Sequence, residues 1–225
     1  MKQKLTINIL VKEAKAFCRK ESQFDNPDLF GITDGKAVGT FIEHKFQNYL
    51  SLKYDYIIGS SASGIDIPSE DINTDIKVTS AKQPQSSCPF RNARQKIYGL
   101  GYNLLVFVYE KNDDPDKKKS NLNFVSCSFI YENRTADYQL TRTIRQMLEN
   151  NANSEDIIAY LTDRNLPAEE ITMNQLAEEI LANLPQQGYL TISNALQWRL
   201  QYGRIVELNE NVEGIIPIIS KRGKR

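Results

Sequence analysis

Six consecutive residues, Leu104-Leu-Val-Phe-Val-Tyr109, form an almost wholly apolar run in a chain where one residue in four is charged. So short a run, bounded by Gly99 and Gly101 on one side and a charged stretch on the other, reads as a strand buried on both faces. Such a strand lies inside a sheet, and the neighbouring sequence provides the layers to cover it. Residues 4–21 place Leu5, Ile9, Leu10, Ala14 and Phe17 at helical spacing. Asn26-Pro27-Asp28 breaks that pattern, and a second helix is expected over residues 35–52, with Val38, Phe41, Ile42, Phe46, Tyr49 and Leu50 on its apolar side. Residues 54–58 and 75–79 read as further strands, 91–98 as a basic helix ended by Gly99, and 124–131 as an antiparallel return strand beyond a charged loop at 111–120. A helix over 135–149 closes this first region. The fold class expected is α/β, a mixed sheet flanked by helices.

After Asn150 the character changes. Helices are expected over 155–163, 173–182 and 191–202, followed by strands at 204–208 and 214–218 around a polar turn at 209–213. Three helices and a hairpin make a winged-helix-like α+β order. The organisation expected is therefore a catalytic domain over 1–150, a winged-helix-like domain over 151–220 and a basic tail over 221–225. In that arrangement residues 191–202 are the recognition helix, turning Ile192, Ala195, Leu196 and Leu200 inward and Ser193, Asn194, Gln197 and Gln201 outward. Amides in a row suit base reading in the major groove, with Arg199 and Arg204 placed to hold phosphates.

Chemistry concentrates at Ile65-Asp66-Ile67 and Asp75-Ile76-Lys77. Alternation along a strand puts Asp75 and Lys77 on one face while Ile76 and Val78 enter the core. A turn near Pro68-Ser69 would return Asp66 to the side of Asp75. Two acidic oxygen donors beside an ammonium are what phosphodiester hydrolysis with a hard divalent cation requires. Asp71 is the alternative first carboxylate, four residues before Asp75 on the same segment. An acidic residue two before a lysine also occurs at Glu13, Asp34, Glu43 and Asp116, but the Asp75 copy alone lies in a β-branched strand with an upstream acidic partner across a turn.

Several classes are excluded. His44 is the one histidine, so designs with a paired histidine base fail. No Gly-rich loop with lysine for nucleoside triphosphates is present. Cys18, Cys88 and Cys127 are too few and too scattered for structural zinc and fit a reducing cytoplasm. No apolar run approaches a membrane span. The 28 basic and 28 acidic residues cancel, so the charge balance itself points to no nucleic-acid partner. The balance is uneven, with 21 basic against 18 acidic over 1–150 and 7 against 10 over 151–225.

The order of a helix bearing Glu43, Asp66, the Asp75-Ile76-Lys77 strand, a helix over 91–98 and the apolar strand 104–109 resembles the common core of the PD-(D/E)xK nuclease superfamily, in particular type II restriction endonucleases. The resemblance covers residues 36–110. It implies that Asp66, Asp75 and the Ile76 carbonyl bind Mg²⁺, that Lys77 orients the attacking water and stabilises phosphate charge, and that Glu43 is a further acidic residue of the site. Gly39, Glu43 and Phe46 share one helical stripe, and Gly39 permits close approach of a backbone. Lys82, Gln83 and Gln85, in the loop after the catalytic strand, and Arg94 with Gln95 and Tyr98 on the next helix are candidate DNA contacts.

The function the resemblance implies is Mg²⁺-dependent cleavage of both strands of a short DNA sequence by a cytoplasmic homodimer, within a system that also contains a cognate DNA methyltransferase. Modification-dependent, transposon-end, repair and RNA-cleaving nucleases of the same core are alternatives, as is a non-catalytic winged-helix DNA-binding protein.

Overall fold

The computed structural model describes residues 2–59, 64–89, 91–193 and 198–220. In chain order the elements are β1 (Gln3–Lys4), α1 (Ile7–Glu21), β2 (Asp25–Asn26), α2 (Gly35–Ser51), β3 (Tyr54–Asp55), β4 (Thr74–Ser80), β5 (Gln85–Cys88), α3 (Gln95–Tyr98), β6 (Asn103–Asp114), β7 (Lys119–Ile130), α4 (Tyr138–Glu149), α5 (Ser154–Asp163), α6 (Glu170–Ala182), β8 (Thr191–Ile192), β9 (Trp198–Gln201), α7 (Gly203–Val206) and β10 (Ile215–Ser220). They form two compact units that interleave along the chain: Met1–Gln85, Tyr102–Ile130 and Asn209–Arg225 in the first, Ser86–Gly101 and Tyr131–Leu208 in the second.

The first unit is built on a mixed sheet in the order β10-β7-β6-β4, with β2 also paired to β7. The apolar run 104–109 occupies β6, and Leu104 through Tyr109 are all buried. β6 runs parallel to β4, opposing Asp75 to Leu104 and Lys77 to Val106. Its other neighbour, β7, is antiparallel. The charged stretch expected to be a loop instead continues both strands, which pair out to Asp114 and Lys119. Lys118, with φ of 49°, makes the tight reversal at the tip. Among the described residues, β4 is one edge of this sheet.

α1 and α2 begin where side-chain oxygens take up free amides: Thr6 accepts from Ile9 and Asp34 from Lys36. Phe17 of α1 and Phe46 of α2 meet Phe107 and Phe124 of the sheet, with ring centroids 5.0–6.2 Å apart. The helices are also tied by Glu13, which accepts from Lys53 at 2.8 Å, from Tyr54 at 2.7 Å and from Tyr49. Burial pushes the Glu13 carboxyl up, but Lys53 and the two tyrosine hydroxyls outweigh it and hold it at about 2.

In the second unit, Ile97, Leu140, Ile144, Ile157, Leu161, Leu176 and Ile180 form the core of a helical cluster. α5 opens on a capping box between Asn153 and Asp156. Asp137 is buried and caps α4 through Leu140 N–H at 2.8 Å while accepting Ile192 N–H at 2.8 Å with its other oxygen. α3 is shorter than expected, one turn over Gln95–Tyr98, and ends at Gly99 with φ of 97°.

The winged-helix order is not formed. Thr191–Ile192 and Trp198–Gln201 are antiparallel strands, so the expected recognition helix over 191–202 is absent at its described residues. Ile192 and Leu200 fit a helical stripe, but Trp198, Leu200 and Tyr202 are buried while Arg199 and Gln201 are exposed, a period of two that suits a strand. The expected 204–208 strand is the short helix α7. Its intended partner, β10, lies in the first unit and pairs antiparallel with β7 instead, with a register shift beside Pro217, which has no amide to give the ladder.

Candidate active site

The turn foreseen at Pro68-Ser69 forms. Ile67 and Thr74 exchange backbone hydrogen bonds of 2.9 and 3.0 Å, and the residues between them fold back through Ser69, whose carbonyl accepts from Ile72 and Asn73. This places Asp66 against the outer edge of β4, where its Oδ2 accepts the Ile76 amide at 2.7 Å. Its Oδ1 accepts the Gln47 side-chain amide of α2 at 3.1 Å. Asp71 sits in the exposed part of the turn and pairs with Lys4, away from Asp75.

Asp75 is almost fully buried, and its Oδ2 lies 2.7 Å from Lys77 Nζ. Glu43 and Asp75 each come within hydrogen-bonding reach of Asp66. Burial first, and then the neighbouring Asp66 charge, push the Glu43 carboxyl up to about 7. For Asp75 burial again leads; Lys77 pulls the other way, and Asp66 helps to leave it at about 7. Ile76 is buried as expected, whereas Val78 is half-buried. Gly39 makes the assembly compact: a Cβ there would lie 3.3 Å from the Val78 carbonyl oxygen, so α2 crosses β4 closely one turn before Glu43.

Three carboxylates thus lie close together with Lys77 beside Asp75, and burial first, then the neighbouring negative charge, is expressed as two raised pKa values. Every available donor is a hard oxygen: Glu43, Asp66, Asp75 and the Ile76 carbonyl. That set suits a small divalent cation rather than a soft metal. Among the described residues no group of three or more His, Cys, Asp or Glu side chains is already gathered as a metal cage. The carboxylates face protein donors and one another instead.

The candidate DNA contacts are placed unevenly. Lys82 and Gln83 are exposed in the turn after β4, while Gln85 is half-buried. The Thr79 hydroxyl ties that turn, accepting Gln85 N–H at 3.1 Å and lying 2.9 Å from its carbonyl oxygen. Lys82 also lines a groove with Ser80, Ala81, Glu110, Lys111 and Asn112. Arg94, in the second unit, is engaged by Glu179 at 2.7 and 2.9 Å and lies over the Tyr98 ring. Arg199 and Gln201 are exposed on β9, and the Arg204 guanidinium stacks 3.6 Å from the Tyr138 ring centre. Asn194 and Gln197, like the basic tail, lie outside the described residues. The sequence reading missed Gln47, although its position four residues after Glu43 puts it on the same helical stripe.

A cluster of one buried and two half-buried carboxylates with a lysine, carried at the edge of a mixed sheet, suits a phosphodiester-cleaving hydrolase. The comparisons agree with that class. The family model described as type II restriction enzyme NspV matches residues 4–217. Type II restriction enzyme NspV from Nostoc sp. (strain ATCC 29411 / PCC 7524) is 53% identical over 214 residues, covering 95% of this chain and 96% of that protein. The chain belongs to the NspV family of type II restriction enzymes. No solved structure matches it. No helix among the described residues is long and apolar enough to cross a membrane.

Proposed function

We propose that this restriction enzyme uses the Glu43–Asp66–Asp75–Lys77 group to hydrolyse phosphodiester bonds in both strands of a short double-stranded DNA sequence, with Mg²⁺ as its metal. The observation that carries the reading is the convergence of Asp66 and Asp75 from two segments, with Lys77 2.7 Å from Asp75. Asp66, Asp75 and the Ile76 carbonyl would hold the cation, with Glu43 at its margin. Bound there, Mg²⁺ supplies Lewis-acid neutralisation of phosphate charge and lowers the pKa of water. Lys77 directs its ammonium at the reacting oxygens, orienting the attacking water and offsetting charge as the phosphorus becomes five-coordinate. Burial of Asp75 and Ile76 keeps bulk water from screening these interactions.

One site per chain and two strands to cut favour a homodimer whose two-fold axis coincides with that of the DNA site. A nuclease of this kind needs its host sites protected, so a methyltransferase of matching specificity belongs to the same system. Lys82, Gln83 and Gln85 lie directly after the Asp75–Lys77 strand, Lys82 and Gln83 exposed, and are the first candidates for base or phosphate contact.

The test is incubation of the purified protein with long unmethylated DNA, with Mg²⁺ and with chelator. Discrete fragments that appear only with Mg²⁺ are expected. Intact DNA under every divalent-metal condition would sink the catalytic reading.

A further inference from the structure

We infer that Gln47 is a positioning residue for the metal site, holding the Asp66 carboxylate in the orientation that binds the cation. The inference rests on the metal reading of that site. Asp66 is the one site carboxylate delivered by a turn rather than by a strand or helix, so its own backbone does not fix where its oxygens point. Two donors do: the Ile76 amide at 2.7 Å on Oδ2 and the Gln47 side-chain amide at 3.1 Å on Oδ1. Each oxygen accepts one such bond, and the capacity that remains, which Glu43 and Asp75 reach in the metal-free protein, is what a cation would take up.

Gln47 is itself well placed for this work. It lies one turn after Glu43, so one helix face presents both a carboxylate to the site and a donor to Asp66. The helix is held against β4 at Gly39. The Gln47 backbone carbonyl accepts the Tyr56 hydroxyl at 3.0 Å, which anchors the same turn of α2 to the segment after β3. A neutral amide suits the position. A lysine there would compete with the metal for Asp66, and a glutamate would add a fourth negative charge and lose the donor.

Gln47→Met, which keeps the length of the side chain and removes its hydrogen bonding, is the test variant. Gln47→Ala is the second, and melting temperatures without metal verify that both fold. Mn²⁺ binding, followed by loss of the free-ion spin-resonance signal, is measured alongside the Mg²⁺ concentration giving half-maximal cleavage. Outer-sphere partners of metal ligands typically carry about 10–100-fold in metal affinity. Mn²⁺ affinity should fall about tenfold in both variants, and the Mg²⁺ requirement should rise in parallel. Saturating Mg²⁺ should restore most of kcat with the KM for DNA unchanged. Mn²⁺ affinity within twofold of the unaltered protein, or lost cleavage that saturating Mg²⁺ does not restore, overturns the inference. Asp75→Ala in the same titration separates the two levels: if it binds Mn²⁺ as the unaltered protein does, the metal reading itself falls.

Discussion

Lys77 Nζ lies 2.7 Å from Asp75 Oδ2, two residues along one strand, with both side chains mostly withdrawn from solvent. An ion pair this short would be an inert surface ornament if exposed. Here Asp66 and Glu43 crowd the same carboxylate, so the lysine is the one positive charge among competitors. Lys77→Ala and Asp75→Asn should each lower the single-turnover cleavage rate at least about 10²-fold, the scale of removing one preorganised electrostatic contact. Circular dichroism should remain that of the unaltered protein. Cleavage by Lys77→Ala within tenfold of normal would remove Lys77 from the chemistry.

The pH dependence of stability follows from the burial of these carboxyls and, after it, from the same crowding. Glu43 and Asp75 ionise near 7 in the folded chain against ordinary values of 4.5 and 3.8, so the folded form retains protons that the unfolded chain has released. The stability they contribute is fully present below their ordinary values, declines as pH rises above them, and is gone once pH has passed through about 7. The metal-free melting temperature should therefore fall between about pH 4 and 7 more steeply than that of a Glu43→Gln/Asp75→Asn double variant. Mg²⁺ should raise the melting temperature more at the upper end of that range, because the carboxylates are then ionised without proton competition. Parallel profiles for the two proteins would place the titration elsewhere.

Gly39 offers a packing test at a distance from the chemistry. A Cβ there would sit 3.3 Å from the Val78 carbonyl, close enough that the branched side chain of Gly39→Val must displace α2 from β4. Overpacking of this kind costs about 1–3 kcal/mol. Because α2 also carries Glu43 and Gln47, cleavage should suffer beyond the loss of stability. Urea titration gives the first quantity, and kcat at a temperature where the variant is fully folded gives the second.

Arg94 and Lys82 should behave oppositely in DNA binding. Arg94 is occupied by Glu179, so Arg94→Ala and Glu179→Ala should lower stability by similar, small amounts. Neither should flatten the dependence of DNA affinity on salt. Lys82 is exposed in the turn after β4, and Lys82→Ala should reduce the slope of log affinity against log salt by about one. A flattened slope in Arg94→Ala would mean that the Glu179 pair opens on DNA.

How much of this was legible before the structure depends on the local period of each segment. The Asp75–Lys77 strand reads cleanly because charged and apolar residues alternate and a turn-rich stretch precedes it. The turn that returns Asp66 is legible in Pro68 and Ser69, and the close crossing of α2 in Gly39. The C-terminal region misleads because Ile192 and Leu200 satisfy a helical spacing while Trp198, Leu200 and Tyr202 satisfy a strand, and packing decides for the strand. No local pattern announces that β10 joins β7 more than eighty residues earlier, since a non-local strand pair leaves no signature in either partner alone. Gln47 was hidden for a different reason: a glutamine on a helix is ordinary until its acceptor is known.

The Asp66 bond to the Ile76 amide also has a consequence for how these molecules behave in a crowded solution. β4 is the edge of its sheet among the described residues, and an edge strand with open amides invites strands from other molecules to add to it. Thr74 is shielded there by Ile67, and Ile76 by the Asp66 carboxylate. The group that would grip a cation is thus also a guard against self-association. A nuclease disabled by truncating Asp66 to alanine would expose a bare stretch of strand, whereas one disabled by Lys77→Ala would keep it covered, so the lysine variant is the better starting point for a soluble, cleavage-dead protein.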